Sequence, residues 1–186
     1  MHVSSSRILV LDGSLGFSIV AIVEERDGVP VCVAEDYLYE QPLLKRITNL
    51  IPDQAARTTL TGVVVGNGPG SYSGVRVAAS AAVGIAAALA LPLRESASDR
   101  ALWQAAQRSF SIALGTRESL EVSEKGSVVV ARGSASSHFA QEESRGVAAC
   151  ALIRKALAKH RKTARFNRGA HVVHQLQVKM QIVNGV

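Results

Sequence analysis

Apolar residues in the first half of the chain fall in short continuous runs, not in long helical stripes. Arg7 to Asp12, Phe17 to Val23 and Val31 to Tyr37 are such runs, rich in branched aliphatic residues and of strand length. Arg26-Asp27-Gly28 supplies a turn between the last two, so the pattern predicts two successive hairpins. Leu43, Leu44, Ile47, Leu50 and Ile51 then recur at helical spacing, with Pro42 suiting the helix start and Pro52 closing it. Val63 to Gly66 reads as a further strand. An antiparallel meander is thus joined by a crossover to a strand and a helix.

Gly68-Pro69-Gly70-Ser71-Tyr72-Ser73-Gly74-Val75-Arg76 follows that strand and opens an alanine-rich helix. Glycines permit positive φ and close approach of another group, and Pro69 fixes φ and removes one donor. Two roles are open to this elbow. Free N–H groups at the helix start favour an anion, and the same turn can serve only to bring two elements together. Known phosphate loops do not fit it. A Walker loop needs Lys followed by Ser or Thr after its second glycine, where this chain has Val75 and Arg76. Gly66-Asn67-Gly68-Pro69-Gly70 is spaced G-x-G-x-G, not G-x-G-x-x-G, and no acidic residue follows at the distance a ribose contact needs. Tyr72 occupies the position where a nucleophile elbow requires serine.

The elbow resembles the signature of the TsaB (YeaZ-like) family, which reads approximately G-P-G-S-F-T-G-L-R before a small-residue helix and a G-I-P-L type segment. Here these features stand as Gly68 to Arg76, Val77 to Ala90 and Leu91-Pro92-Leu93. Ile8-Leu9-Val10-Leu11-Asp12-Gly13-Ser14 is similar to the family's first strand and its Asp-Thr-Ser turn, with Gly13 replacing the threonine. The resemblance spans residues 7 to about 107. It implies an α/β, ribonuclease-H-like lobe of the actin, Hsp70 and sugar-kinase superfamily, in agreement with the strand pattern. It also implies a noncatalytic scaffold that binds a TsaD-like catalytic subunit for threonylcarbamoyl transfer to adenosine in tRNA. A TsaE-like ATPase as a further partner, a homodimer when alone, tRNA as the substrate of the complex and a cytoplasmic location belong to the same expectation. It implies no cofactor of the chain's own, with ATP or ADP at the partner interface.

On the resemblance, the partner interface is expected at Gly68, Pro69, Gly70, Ser71, Tyr72, Gly74, Arg76, Ser80, Gly84 and Ala88. Ser80, Gly84 and Ala88 lie four residues apart, so one helix face is nearly flat and permits close backbone approach. Val77, Ala81, Ile85 and Leu89 form a second apolar stripe, which suggests one face for the sheet and one for a partner. Arg76 sits where the helix dipole disfavours a cation, which suggests pairing with a carboxylate or phosphate, with a solvated side chain as the alternative. Asp12, at the end of the first strand, is a candidate contact to nucleotide through Mg²⁺ or water, with Ser14 as a phosphate donor. The alternative is a plain hairpin turn, and it is preferred because one carboxylate makes a poor octahedral site. The runner-up function, a small phosphotransferase or ATPase of the same superfamily, rests on these two residues and the elbow.

Composition fits a globular protein: 47% of the 186 residues are hydrophobic and only 4% aromatic, so the core is expected to use small and branched side chains. Cys32 and Cys150 form no C-x-x-C pair, which points to free thiols in a reducing compartment. No signal peptide is evident, and Val77 to Leu93 is too short and alanine-rich for a membrane span, so no membrane partner is expected. Of five histidines only His171 and His174 are close, without a nearby acid or cysteine, and neither a metal site nor a nucleophile–base pair is legible. The chain is not expected to catalyse on its own.

The second half departs from the family pattern. Asp99 to Gln107 suits a helix, Phe110 to Leu114 and Ser127 to Arg132 short strands, Gly133 to Ser144 an exposed loop, and Val147 to Lys159 an amphipathic helix. The expected division is 1–107 for the first lobe, 108–165 for a reduced second lobe and 166–186 for a basic tail. Residues 144–186 hold nine Lys or Arg and no acid, giving +9 against a net +6, so the rest of the chain carries 6 − 9 = −3. Such a segment can touch tRNA phosphates or be merely solvated, and no aromatic stacking platform accompanies it.

Overall fold

Strands β1 (Ser6–Asp12), β2 (Ile19–Arg26) and β3 (Val29–Glu35) form the antiparallel meander that the apolar runs predict. The computed structural model describes residues 6–15, 18–27, 29–36, 41–107, 109–114 and 116–131. After the meander come α1 (Leu43–Leu50), a short α2 (Gln54–Thr58), β4 (Gly62–Gly66), α3 (Tyr72–Ala88), β5 (Leu93–Ser96) and α4 (Ser98–Ala106). The sheet runs β3-β2-β1-β4-β5, with β4 parallel to β1 and β5 parallel to β4. Only β2 runs against the rest, and this is the ribonuclease-H-like order. A second sheet, β6 (Phe110–Ala113), β7 (Glu118–Ser123) and β8 (Gly126–Ala131), is antiparallel throughout.

The continuous apolar runs arise because the central strands are covered on both faces. Leu9 and Leu11 of β1 pack with Val20, Ile22, Val63 and Val65 beneath α1 and α3. Ile8 and Val10 point the other way, into a core shared with Ala101 and Leu102 of α4 and with Phe110, Ile112, Leu120 and Val122 of the second sheet. The second sheet therefore completes the core of the first. Helix α3 turns Ala78, Ala82 and Ala86 to the sheet, spaced one turn apart. Methyl side chains let the helix axis lie close to β4 and β1.

Several boundaries differ from the sequence reading. The second strand begins at Ile19, not Phe17, and the third starts at Val29 and ends by Glu35. Helix α3 starts at Tyr72, a full turn before Val77, because Ser71 caps it by accepting from the Gly74 N–H at 3.3 Å. Strand β5 escaped the pattern because Arg94 and Glu95 interrupt its apolar run. Strand β7 escaped it because its two buried apolar residues, Leu120 and Val122, alternate with polar ones. The expected loop at 133–144, the helix at 147–159 and the basic tail lie outside the described residues, as do Tyr37, Cys150 and all five histidines. No helix among the described residues is long and apolar enough to cross a membrane.

Candidate functional site at the elbow and its helix

Parallel strands β1, β4 and β5 end at the same edge of the sheet, the edge at which open sheets of this kind place their sites. Three connections meet there: the Asp12-Gly13-Ser14 turn after β1, the elbow after β4, and the Ala97–Ser98 link into α4. The elbow is held from both sides. The Ser71 N–H donates to the Ser14 carbonyl at 2.7 Å, and the Ser98 N–H donates to the Gly68 carbonyl at 2.9 Å. The Gly68 N–H donates to the Ser98 hydroxyl at 3.2 Å.

Glycine is obligatory on both surfaces of this clasp. A Cβ on Gly74 would lie 1.8 Å from the Gly13 carbonyl oxygen, and a Cβ on Gly13 would lie 2.4 Å from the Gly74 oxygen. Gly70, with φ +154, leaves no room either, since its Cβ would meet the Ser14 carbonyl oxygen at 1.9 Å. Of the two roles open to the elbow, the geometry shows close packing of backbone on backbone. It also explains Gly13, the residue where the turn departs from Asp-Thr-Ser: any side chain there would strike the first turn of α3.

Asp12 and Ser14 are both 0% exposed beneath the clasp. Asp12 Oδ1 accepts from the Ser14 N–H at 2.7 Å, the internal bond of a turn. Its Oδ2 lies toward the Ser98 hydroxyl without closing a hydrogen bond of ordinary geometry, and the Ser14 hydroxyl is likewise unsatisfied. Burial pushes the Asp12 carboxyl above the usual carboxylate range, and the Ser98 and Ser14 groups pull it back only in part. In this conformation neither residue is open to a nucleotide. Among the described residues, no group of three or more His, Cys, Asp or Glu is placed to hold a metal ion.

On the outer side of α3 the chemistry is different. Tyr72, Arg76, Ser80, Gly84 and Ala88 are all exposed, so this part of the expected interface shares one open face. Gly68, Gly70 and Gly74 instead turn inward to the clasp, and only Pro69 at the elbow's tip is exposed. The second stripe is divided: Val77 is 54% exposed, while Ala81, Ile85 and Leu89 lean on the core beneath α1 and α3. Between α3 and α1 runs an apolar groove of about 710 Å³, bounded by Leu44, Val77, Ala81, Gly84 and Ile85, with Ser73, Arg76 and Ser80 along its rim. Leu44 is 64% exposed. A Cβ on Gly84 would meet nothing within 4 Å.

Arg76 makes no ion pair with an acid among the described residues. Its guanidinium stands 5.3 Å from the centre of the Tyr72 ring and donates to the Tyr72 hydroxyl at 3.4 Å. Within the described residues it is an exposed cation supported by the aromatic ring.

Sequence reasoning missed the group that fixes the groove's other wall. Arg46 of α1 is 0% exposed, and its Nε donates to Asp36 Oδ1 at 3.0 Å. One terminal nitrogen donates to the Asp36 carbonyl at 2.7 Å, the other donates to the Ser18 hydroxyl, and Asn49 donates to Asp36 Oδ2 at 2.9 Å. This network ties α1 to the ends of β2 and β3 and so sets the position of Leu44. The signal was present: Arg46 stands three residues after Leu43 and beside Ile47, on the apolar side of its helix.

Comparison with known proteins adds three findings. The family model described as TsaD, tRNA N6-adenosine threonylcarbamoyltransferase, matches residues 39–111, which run from before α1 into β6 and take in the whole elbow and α3. No curated protein matches the chain. Among solved structures, the chain is similar to YeaZ from Pseudomonas aeruginosa, with a TM-score of 0.53 at 18% identity over 84% of this chain and 93% of that one. A structure from the same organism, described as an uncharacterized protein with similarity to peptidase YEAZ, aligns at 21% identity over 70% of this chain and 65% of its own, with a TM-score of 0.43. The fold is that of the first of these structures.

Proposed function

We propose that this chain, YeaZ-like in its fold and matched by the TsaD family model from before α1 into β6, is a noncatalytic scaffold in tRNA modification. It docks a TsaD-like catalytic subunit on the open face of α3 and so enables threonylcarbamoyl transfer to adenosine in tRNA. The observation that carries this reading is the groove, where Leu44, Tyr72 and Val77 stay 64%, 45% and 54% exposed around a glycine with open space above it. Exposed aliphatic and aromatic surface beside a closely approachable backbone is the chemistry of a helix-docking site. The same face accepts a second copy when the partner is absent, and a TsaE-like ATPase joins the assembly in the cytoplasm. ATP or ADP belongs to the partner interface, since Asp12 and Ser14 are sealed under the clasp.

Reconstitution tests this reading. Purified chain, TsaD homologue and TsaE homologue from the same source are combined with tRNA and a threonylcarbamoyl donor, and modified adenosine is measured by mass spectrometry. The full set yields product, and omitting this chain abolishes it. Product formed by this chain alone, or undiminished product without it, overturns the scaffold role.

A further inference from the structure

The two helices that wall the groove carry an uneven charge. Helix α1 contributes Lys45 and Arg46, α3 contributes Arg76, and neither contains an Asp or Glu. Arg46 is neutralised within the fold by Asp36. Lys45 and Arg76 are exposed and make no ion pair among the described residues, and Arg76 lies on the rim of the apolar groove. Its stacking on Tyr72 holds the guanidinium at the mouth and leaves most of its five donors unused.

We propose that Arg76 selects the occupant of this groove: a partner helix with small and aliphatic residues on its docking face and a carboxylate placed to meet the guanidinium. This rests on the docking reading above and specifies its chemistry. Arg76 and Gly84 are eight residues apart on α3, about 12 Å along its axis. A partner helix therefore seats a small residue over Gly84 and carries its Asp or Glu about two turns away. A second copy fits less well, because its own α1 and α3 bring only further cations to the contact and leave Arg76 unanswered. A nucleic acid fits less well again, because one guanidinium among aliphatic carbon and hydroxyls lacks the repeated cations that a phosphate backbone engages. Arg76 is thus the residue that separates a heteromeric partner from self-association.

The test uses the full chain and three covalently stapled alanine-rich helical peptides, identical except for Glu, Gln or Lys at the position two turns from the Gly84 contact. Binding is read by fluorescence anisotropy at low and high salt on the wild type, on Arg76→Glu and on Arg76→Gln. Arg76 is exposed, so all three proteins fold, and circular dichroism checks this. The wild type binds the Glu peptide about tenfold more tightly than the Lys peptide, the gap narrows with salt, Arg76→Gln levels the series, and Arg76→Glu reverses it. Equal binding of the three peptides to wild type and Arg76→Glu, or no binding of any peptide, overturns the proposal. So does a wild-type dimer that Gly84→Leu breaks and that the Glu peptide fails to displace, since the occupant is then a second copy. The charge order together with failure of the TsaD homologue to bind leaves the carboxylate reading standing and removes that protein as the partner.

Discussion

Gly74 and Gly84 lie on the same helix and do opposite things. At Gly74 the missing side chain closes the structure, because the Gly13 carbonyl occupies the space and a Cβ would lie 1.8 Å from it. At Gly84 the missing side chain leaves the structure open, with nothing within 4 Å of where a Cβ would stand. The fold itself requires the first glycine. The second meets nothing among the described residues and lowers helix propensity by roughly 1 kcal/mol relative to alanine. The end of α3 at the elbow is thus a fixed anchor and its middle an open face, the one on which the proposed docking rests.

Substitutions can break or sharpen this contrast. The largest effect is expected from Gly74→Ala, which drives a methyl into backbone and should cost on the order of 4 kcal/mol or prevent folding, as read by thermal and urea unfolding. If Gly74→Ala is as well tolerated as Gly84→Ala, the clasp is not an anchor. Next comes Arg46→Ala, which leaves Asp36 buried without its cation and should cost about 3–5 kcal/mol in the same assay. Its failure to destabilise would mean that the α1 wall of the groove is held by something else.

Asp12 gives a smaller, pH-dependent effect. Its carboxyl is raised in the folded state, so protonated Asp12 favours folding below the ordinary carboxylate value. That contribution fades as pH rises from there through the folded-state value. Asp12→Asn keeps the acceptor for the Ser14 N–H and offers a donor toward Ser98, so its stability should be flatter than the wild type's across that window. An unchanged slope would show that the carboxyl is not buried under the clasp. The smallest effect is Gly84→Ala, which should stabilise the isolated protein by about 0.5–1 kcal/mol, because the helix gains propensity and nothing is crowded. Destabilisation instead would show that the open face is occupied within the chain.

The sequence carried most of the first sheet, since β1, β2 and β4 are apolar on both faces and cannot be mistaken for surface segments. It also carried the elbow, because a strand that runs into so many closely spaced glycines must turn sharply there. What the elbow packs against was not legible: Gly13 and Gly74 meet only once β1 and β4 pair, and a single chain does not announce long-range backbone contacts. The Arg46–Asp36 pair was hidden for the same reason, its partners lying on three elements. Strand β5 was lost to its own composition, Leu-Arg-Glu-Ser, in which only the first and last residues are buried. The open face of α3 was legible in part, because Ser80, Gly84 and Ala88 share a stripe. The helix's sheet-facing stripe is carried by Ala78, Ala82 and Ala86, which alanine's neutrality disguised.

The most direct test of the docking surface is light scattering after size-exclusion chromatography. The wild type and Gly84→Leu are each run with the TsaD homologue of the same source in the presence of ATP. Leucine at 84 has room in the isolated fold and fills the groove, so Gly84→Leu should fold as well as the wild type. The expected result is a one-to-one complex for the wild type and none for Gly84→Leu. A complex that forms equally well with leucine at that position, or no complex with the wild type, would contradict the assignment of α3 as the partner interface.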